Sequence, residues 1–203
     1  VPNPHHSHGL HLLQNVAPPE PFITLSEAKE WARIDEADAD GLMTVALETA
    51  CKMLDGYDGL LGKAVGEQRW SLAFQCLRGE ERAYLPVTPV LAVTAISYWV
   101  DGVETAGDVN DFTLYANEDW AYVVPNDGTV WPTGLDDRED AIKITWRAGF
   151  GDIDAVPVDL KTCAKILARS LYDYPDAASA DKMMAVPFGA QTIIDKYRKG
   201  WVA

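Results

Sequence analysis

Gln68-Arg69-Trp70-Ser71-Leu72-Ala73-Phe74-Gln75-Cys76 sets Trp70, Leu72, Phe74 and Cys76 on one side of the chain and Arg69, Ser71, Ala73 and Gln75 on the other. A period of two is that of a strand with one face on a core. It decides the fold because the segments upstream keep a different period. Leu42, Met43, Ala46, Leu47, Ala50, Met53 and Leu54 recur at three- and four-residue steps, which predicts a helix with one apolar face. That helix stops at Asp55-Gly56-Tyr57-Asp58-Gly59, where several residues tolerate a left-handed end. Before it, Thr24-Leu25-Ser26-Glu27 has the spacing of a capping box and opens a shorter helix to about Ile34, with the acidic run 35–40 between the two.

Downstream of Cys76, further strands are predicted at 82–85, 95–100, 112–115, 120–124 and 142–148. Asp101-Gly102 between Val100 and Val103 signals a hairpin, because a type I′ turn needs two residues that accept positive φ. Pro86, Pro89, Pro125 and Pro132 suit edges or loops. After Gly149-Phe150-Gly151 the helical period returns, with Pro157 early in the helix and a stripe of Leu160, Cys163, Ala164, Leu167, Leu171 and Tyr174, until Pro175. A last short helix is predicted around 191–199. The class is therefore α+β: a helical bundle of two N-terminal and two C-terminal helices (22–62 and 150–181) with an antiparallel β domain inserted at 63–149. An extended N-terminal arm (1–21) precedes it and a C-terminal segment (182–203) follows. The arm has no hydrophobic period, so a chain starting at Phe22 is expected to keep its melting midpoint within a few degrees.

An apolar fraction of 48% with seven Trp describes a globular chain, and 203 residues suffice to bury roughly 70% of the unfolded surface. Cys51, Cys76 and Cys163 lie far apart with no CxxC spacing, which predicts free thiols and assembly in the cytoplasm. No basic-then-apolar leader is visible, and the longest apolar stretch, 90–96, is too short for a bilayer. Neither secretion by the usual signal nor membrane insertion is expected. The net charge of −14 argues against wrapping nucleic acid, which needs cations to neutralise phosphates. Lys182, Lys196, Arg198 and Lys199 against Asp195 give residues 182–203 a net +3, leaving −17 on the first 181.

Candidates for chemistry each have a plainer reading. All four histidines, His5, His6, His8 and His11, sit in the arm, where no scaffold preorganises a metal site. Glu36, Asp38, Asp40 and Gly41 imitate the start of a calcium loop, but the position of its bidentate carboxylate is Leu47. Asp136, Asp137, Glu139 and Asp140 are adjacent in a predicted loop, the pattern of a solvated charge run. None of the nucleophile-elbow, zinc-protease, phosphate-loop or dinucleotide motifs is present. No cofactor, metal or catalytic residue is expected, and an enzyme is the disfavoured class. Trp70, Trp99, Trp120, Trp131 and Trp146 could form an aromatic binding row, yet alternation puts at least Trp70 and Trp146 on core faces.

The order of these signals resembles the head-tail connector, or adaptor, proteins of long-tailed bacteriophages and of the gene transfer agents derived from them. The resemblance runs from about Pro21 to Tyr174. It rests on Ile23-Thr24-Leu25-Ser26-Glu27-Ala28-Lys29, Asp38-Ala39-Asp40-Gly41-Leu42, Tyr57-Asp58-Gly59 and Gln68-Arg69-Trp70-Ser71-Leu72. Leu85-Pro86-Val87-Thr88-Pro89-Val90, Ile96-Ser97-Tyr98 with Asp101-Gly102, Trp131-Pro132, Arg147-Ala148-Gly149-Phe150-Gly151, Val156-Pro157-Val158-Asp159-Leu160-Lys161 and Leu171-Tyr172 complete it. The resemblance implies a structural virion protein that forms a ring, a dodecamer, beneath the portal protein. Such a ring extends the DNA channel, lets DNA pass without specific binding, and docks a tail-side stopper or head-completion protein. It also implies that the C-terminal part reaches the portal, with Ile193, Ile194, Lys196, Tyr197, Arg198, Lys199 and Trp201 as docking residues. Because Ile193, Ile194 and Tyr197 give so short a helix little to bury, its order is expected to come mostly from the partner. The competing reading is a tail-associated β-sandwich recognition module that binds a receptor or carbohydrate through exposed Trp and Tyr. A hydrolase would instead need perturbed carboxylates, the nearest candidates being Asp136 to Asp140.

Overall fold

The computed structural model describes residues 11–16, 21–79, 81–174 and 186–198. It is an α+β fold, with four α-helices and antiparallel sheets among the described residues. The chain divides into two compact units, residues 1–17 with 67–149, and residues 18–66 with 150–203.

The first unit contains β1 (His11–Val16), β2 (Gln68–Phe74), β3 (Ala83–Tyr84), β4 (Val90–Val100), β5 (Val103–Gly107), β6 (Phe112–Ala116), β7 (Ala121–Pro125) and β8 (Ile142–Ala148). They form a five-stranded sheet in the order β1-β2-β8-β4-β5 and a three-stranded sheet in the order β3-β7-β6. Three cross-strand rows make the core face of the larger sheet. Leu12, Leu72, Ile144 and Ile96 are successive partners, as are Trp70, Trp146 and Val93, and Phe74, Ile142 and Tyr98. Leu72, Ile144, Ile96, Trp146 and Ile142 are fully buried, as a period of two demands of residues that share one face. Ser71 and Ala73, on the other face, are also buried. They are small side chains on a strand paired on both sides.

β4 starts at Val90 rather than Ala95, because two bulges, between Val90 and Ala92 and between Val93 and Ala95, break the alternation that sequence reading relies on. The hairpin after Val100 forms as expected, with Asp101 at φ 51° and Gly102 at φ 75°. The predicted extended arm includes a strand over 11–16, packed on the chain's own sheet. This segment is an edge strand on β2, tied by Gln14 Nε2 donating to Gln68 Oε1 at 2.8 Å and by Ser71 Oγ to Asn15 Oδ1 at 3.3 Å.

The second unit contains α1 (Leu25–Ala32), α2 (Asp40–Leu54), α3 (Val158–Asp173) and α4 (Phe188–Tyr197). α1 opens on the capping box that its sequence predicts. Thr24 Oγ1 accepts from Glu27 N at 3.2 Å, and Glu27 Oε2 accepts from Thr24 N at 2.8 Å. The Thr24 amide, more than any other neighbour, holds the Glu27 carboxyl below its usual range. α2 packs along α3. Met43, Leu47, Ala50 and Leu54 from one and Leu160, Cys163, Ala164 and Leu167 from the other lie in a single buried cluster with Phe22, Ile23 and Ile34. Leu42, assigned by spacing to the core, is 45% exposed, while Cys51, outside the predicted stripe, is buried. Tyr174 likewise ends outside the α3 stripe, as an exposed C-cap. After α2 the chain turns back on itself: Leu60 N donates to Met53 O and Val65 N to the Asp55 carboxylate. Gly59 is required there, since a Cβ would meet Asp55 O at 2.6 Å and Leu54 O at 2.7 Å.

Thr24→Ala removes the cap and is expected to destabilise the protein by about 1 kcal/mol in chemical denaturation, while Thr24→Ser restores most of it. A chain starting at Phe22 loses β1. Leu12 packing and the edge pairing go with it, so an equilibrium melt should show a loss of about 2 kcal/mol rather than an unchanged midpoint.

Candidate functional site

α4 carries four of the predicted docking residues, Ile193, Ile194, Lys196 and Tyr197, and its sequence explains both how it forms and where it sits. Pro187 precedes the first turn, where its missing N–H costs nothing. Ala190 and Ile194, four apart, share the face that packs on α3. Small Ala190 lets the backbones approach, and Cys163 Sγ donates to its carbonyl at 3.7 Å. Burial pushes the Cys163 thiol up to about 11 and the Cys51 thiol up to about 12, so both are inert protonated groups.

At the far end of α4, Lys196 Nζ reaches Asp159 Oδ2 at 2.5 Å, and Tyr197 donates its hydroxyl to the same oxygen at 3.3 Å. Asp159 lies in the first turn of α3, where the helix dipole favours a carboxylate. The ammonium of Lys196 is the main cause that holds the Asp159 carboxyl below its usual range, and Asp159 raises Lys196 in return. The contribution of Asp159 is thus present above its unfolded value near 4 and fades as pH falls; that of Lys196 persists until strongly alkaline pH.

The structure therefore separates the predicted docking residues. Ile194 is 2% exposed and belongs to the chain's own core, which corrects its assignment to a partner. Ile193 and Tyr197 are half-buried, Lys196 and Arg198 are exposed, and Lys199 and Trp201 lie outside the described residues. Ala190 and Ile194 pack this helix on α3.

Asp40, Asp136 and Asp140 make structural contacts. Asp40 pairs with Lys29, whose ammonium also donates to Glu36 O at 3.0 Å. Asp136 accepts the Gly102 amide at 2.9 Å and so braces the β4–β5 turn. Asp140 takes two bonds from Arg138, at 2.5 and 2.8 Å, and the guanidinium lies 3.8 Å above the Trp99 ring. That pairing is the main cause that depresses the Asp140 carboxyl, the opposite of the raised value a general acid needs. His5, His6 and His8 lie outside the described residues. Among the described residues no three His, Cys, Asp or Glu side chains cluster as metal ligands. An open groove of about 440 Å³ in the β unit is lined by Leu91, Val93, Phe112, Leu114, Asn110 and Asn126 among others, none of them titratable.

No protein-family model matches the chain, and no curated protein matches it at a significant level. Solved structures do. The fold matches a chain of a gene transfer agent neck. The neck of an empty particle, computed with C6 symmetry, contains a chain that is 26% identical, with 95% of this chain and 97% of that one aligned and a TM-score of 0.74. A chain in the virion of the native gene transfer agent is 26% identical over the same shares, with a TM-score of 0.72. The neck of the native particle, computed with C12 symmetry, contains a chain of the same fold at 24% identity and a TM-score of 0.68.

Three tryptophans are core, each with its indole N–H satisfied: Trp70 donates to Gln68 Oε1, Trp131 to Glu81 O and Trp146 to Val87 O. Trp120 is not; it stands on the smaller sheet among Tyr84, Tyr115 and Tyr122. Sequence reading missed that cluster. The alternation Trp120-Ala121-Tyr122 put two members on one face, but only strand register adds Tyr84 and Tyr115.

Ile194→Ala should cost about 2–5 kcal/mol in an equilibrium denaturation, the range for an emptied core isoleucine. Lys196→Ala, which removes a solvated pair, should leave the melting midpoint unchanged at physiological salt.

Proposed function

We propose that this chain is a structural protein of the head-tail junction of a phage-like particle, a virion or gene transfer agent, and that it acts there as the adaptor beneath the portal. The observation that carries this reading is the alignment of nearly the whole chain, at 26% identity, with a component of gene transfer agent neck and virion structures. The particle is its place of work, and its role is assembly rather than catalysis.

In this reading the subunit is a helical bundle with an inserted antiparallel β domain, and copies associate head to tail into a ring. A ring of twelve is compatible with the C6 symmetry applied to the neck of the 26% identical neighbour. Twelve copies at −14 each carry −168 charges, so the part that lines the DNA channel repels phosphate and favours passage over binding. The cationic C-terminal segment, with its net +3, docks on an acidic portal surface. Tyr197 and Trp201 are its apolar anchors, Ile193 contributes its half-exposed side, and Lys196, Arg198 and Lys199 form the charged rim.

The test is portal binding by a chain that ends at Arg198. This cut spares α4, whereas a cut after Asp181 would also remove Ala190 and Ile194 from the core. The shortened chain should fold with an unchanged midpoint and lose portal affinity. Trp201→Ala should speed dissociation more than Lys199→Ala, which should mainly slow association and weaken its salt dependence. Undiminished binding by the shortened chain would place the portal contact elsewhere.

A further inference from the structure

Tyr84 of β3, Tyr122 of β7 and Tyr115 of β6 are direct cross-strand partners, so they form one row across the whole three-stranded sheet. Trp120, two residues before Tyr122, extends it. The opposite face is the buried one, with Ala83, Ala121 and Val123. The row itself is left in water: Tyr84 is 52%, Tyr115 48% and Trp120 46% exposed. Four large aromatics side by side, in a fold that buries Trp70, Trp131 and Trp146, are the composition of a binding hot spot.

The ring geometry narrows what can sit there. Tyr115 and Tyr122 stack at 5.3 Å and 21°, and Trp120 and Tyr122 at 5.5 Å and 14°. The guanidinium of Arg82 lies 4.7 Å from the Tyr122 centroid. Tyr115 and Trp120 thus each turn a face to Tyr122, while Tyr84 meets it tilted at 5.7 Å and 57°, and the row presents ribs of ring edges and hydroxyls. A sugar or a nucleobase needs an open ring face. Apolar side chains of a protein fit between ribs. Charge gives the second constraint: residues 67–149 hold fourteen Asp and Glu against six Lys and Arg, a net −8, and Glu118 and Asp119 stand immediately beside Trp120. Two copies of the same patch would bring like charges together, whereas a cationic partner complements it.

We propose that this face docks the tail-side neck protein, through an element of that protein which carries arginine or lysine beside apolar side chains. The proposal rests on the adaptor reading and names its second contact, in a different unit from the C-terminal segment. The test is in vitro joining, in which portal-bearing heads that lack this protein are mixed with purified chain and purified tails. A Tyr84→Ser/Trp120→Ser variant should melt like the parent, load onto heads at the parent's copy number, and reduce joined particles at least 10-fold. Tyr115→Ser serves as an independent variant should the double one fold poorly. Glu118→Lys should reduce joining most at low salt. Parental joining by the aromatic variants would overturn the proposal. So would their failure to load, which would assign the patch to the portal or to a neighbouring copy. If the parent chain itself does not load, the adaptor reading fails; purified tails passed over immobilised chain still read the patch directly, and equal retention by parent and variant overturns it.

Discussion

The antiparallel pairing of β2 with β8 is the constraint on which the rest of the structure depends. Gln68 faces Ala148 and Trp70 faces Trp146, so the first and last strands of residues 67–149 lie side by side. Arg147 reinforces the pair with two bonds to the Glu67 carboxylate, both 2.8 Å. In the helical unit, Phe150 N donates to Val65 O at 3.0 Å, which closes the same gap from the other end. Because both ends of the intervening chain are held together, α2 and α3 can pack although Leu54 and Val158 are more than a hundred residues apart. Without that closure, the helical core would bear the entropy of a long loop.

Each unit then completes its own core, and the manner differs. The β unit uses large aromatics whose polar edges are satisfied by backbone carbonyls or Gln68, so a buried indole costs no unmet donor. The helical unit uses small residues at its contacts, with Ala50 and Cys51 on α2, Cys163, Ala164 and Ala168 on α3, and Ala190 on α4. Small side chains bring helices close, and Ala190 and Ile194 seat α4 on α3 with Ile193 and Tyr197 packed beside them. The two thiols are part of this packing, since burial keeps them protonated.

What remains for function is surface. The carboxylates that looked available for chemistry brace turns and helix starts: Asp136 holds the Gly102 turn, Asp140 holds Arg138 over Trp99, and Asp40 holds Lys29. Of these, Asp140 is held below its usual range by Arg138. Among the described residues, the aromatic row on the smaller sheet stays exposed, with Tyr84, Tyr115 and Trp120 about half in water.

By itself the sequence determined the local structure. Capping at Thr24, the period switch at Gln68, the Asp101-Gly102 turn and the return to helix after Gly149 are all set by interactions within a few residues, and each is where its local chemistry puts it. It also determined which tryptophans are core where the alternation is clean, as at Trp70 and Trp146. The tertiary structure decided whatever needs a partner distant in sequence. β1 has no periodic signal because it is an edge strand paired on one side, and the start of β4 was hidden by two bulges. Ile194 and Leu42 exchanged their expected roles because burial depends on which helix lies alongside, not on hydrophobicity alone. Tyr84, Tyr115 and Tyr122 are separated by loops, and only strand register, fixed by side chains on the buried face, brings them into one row.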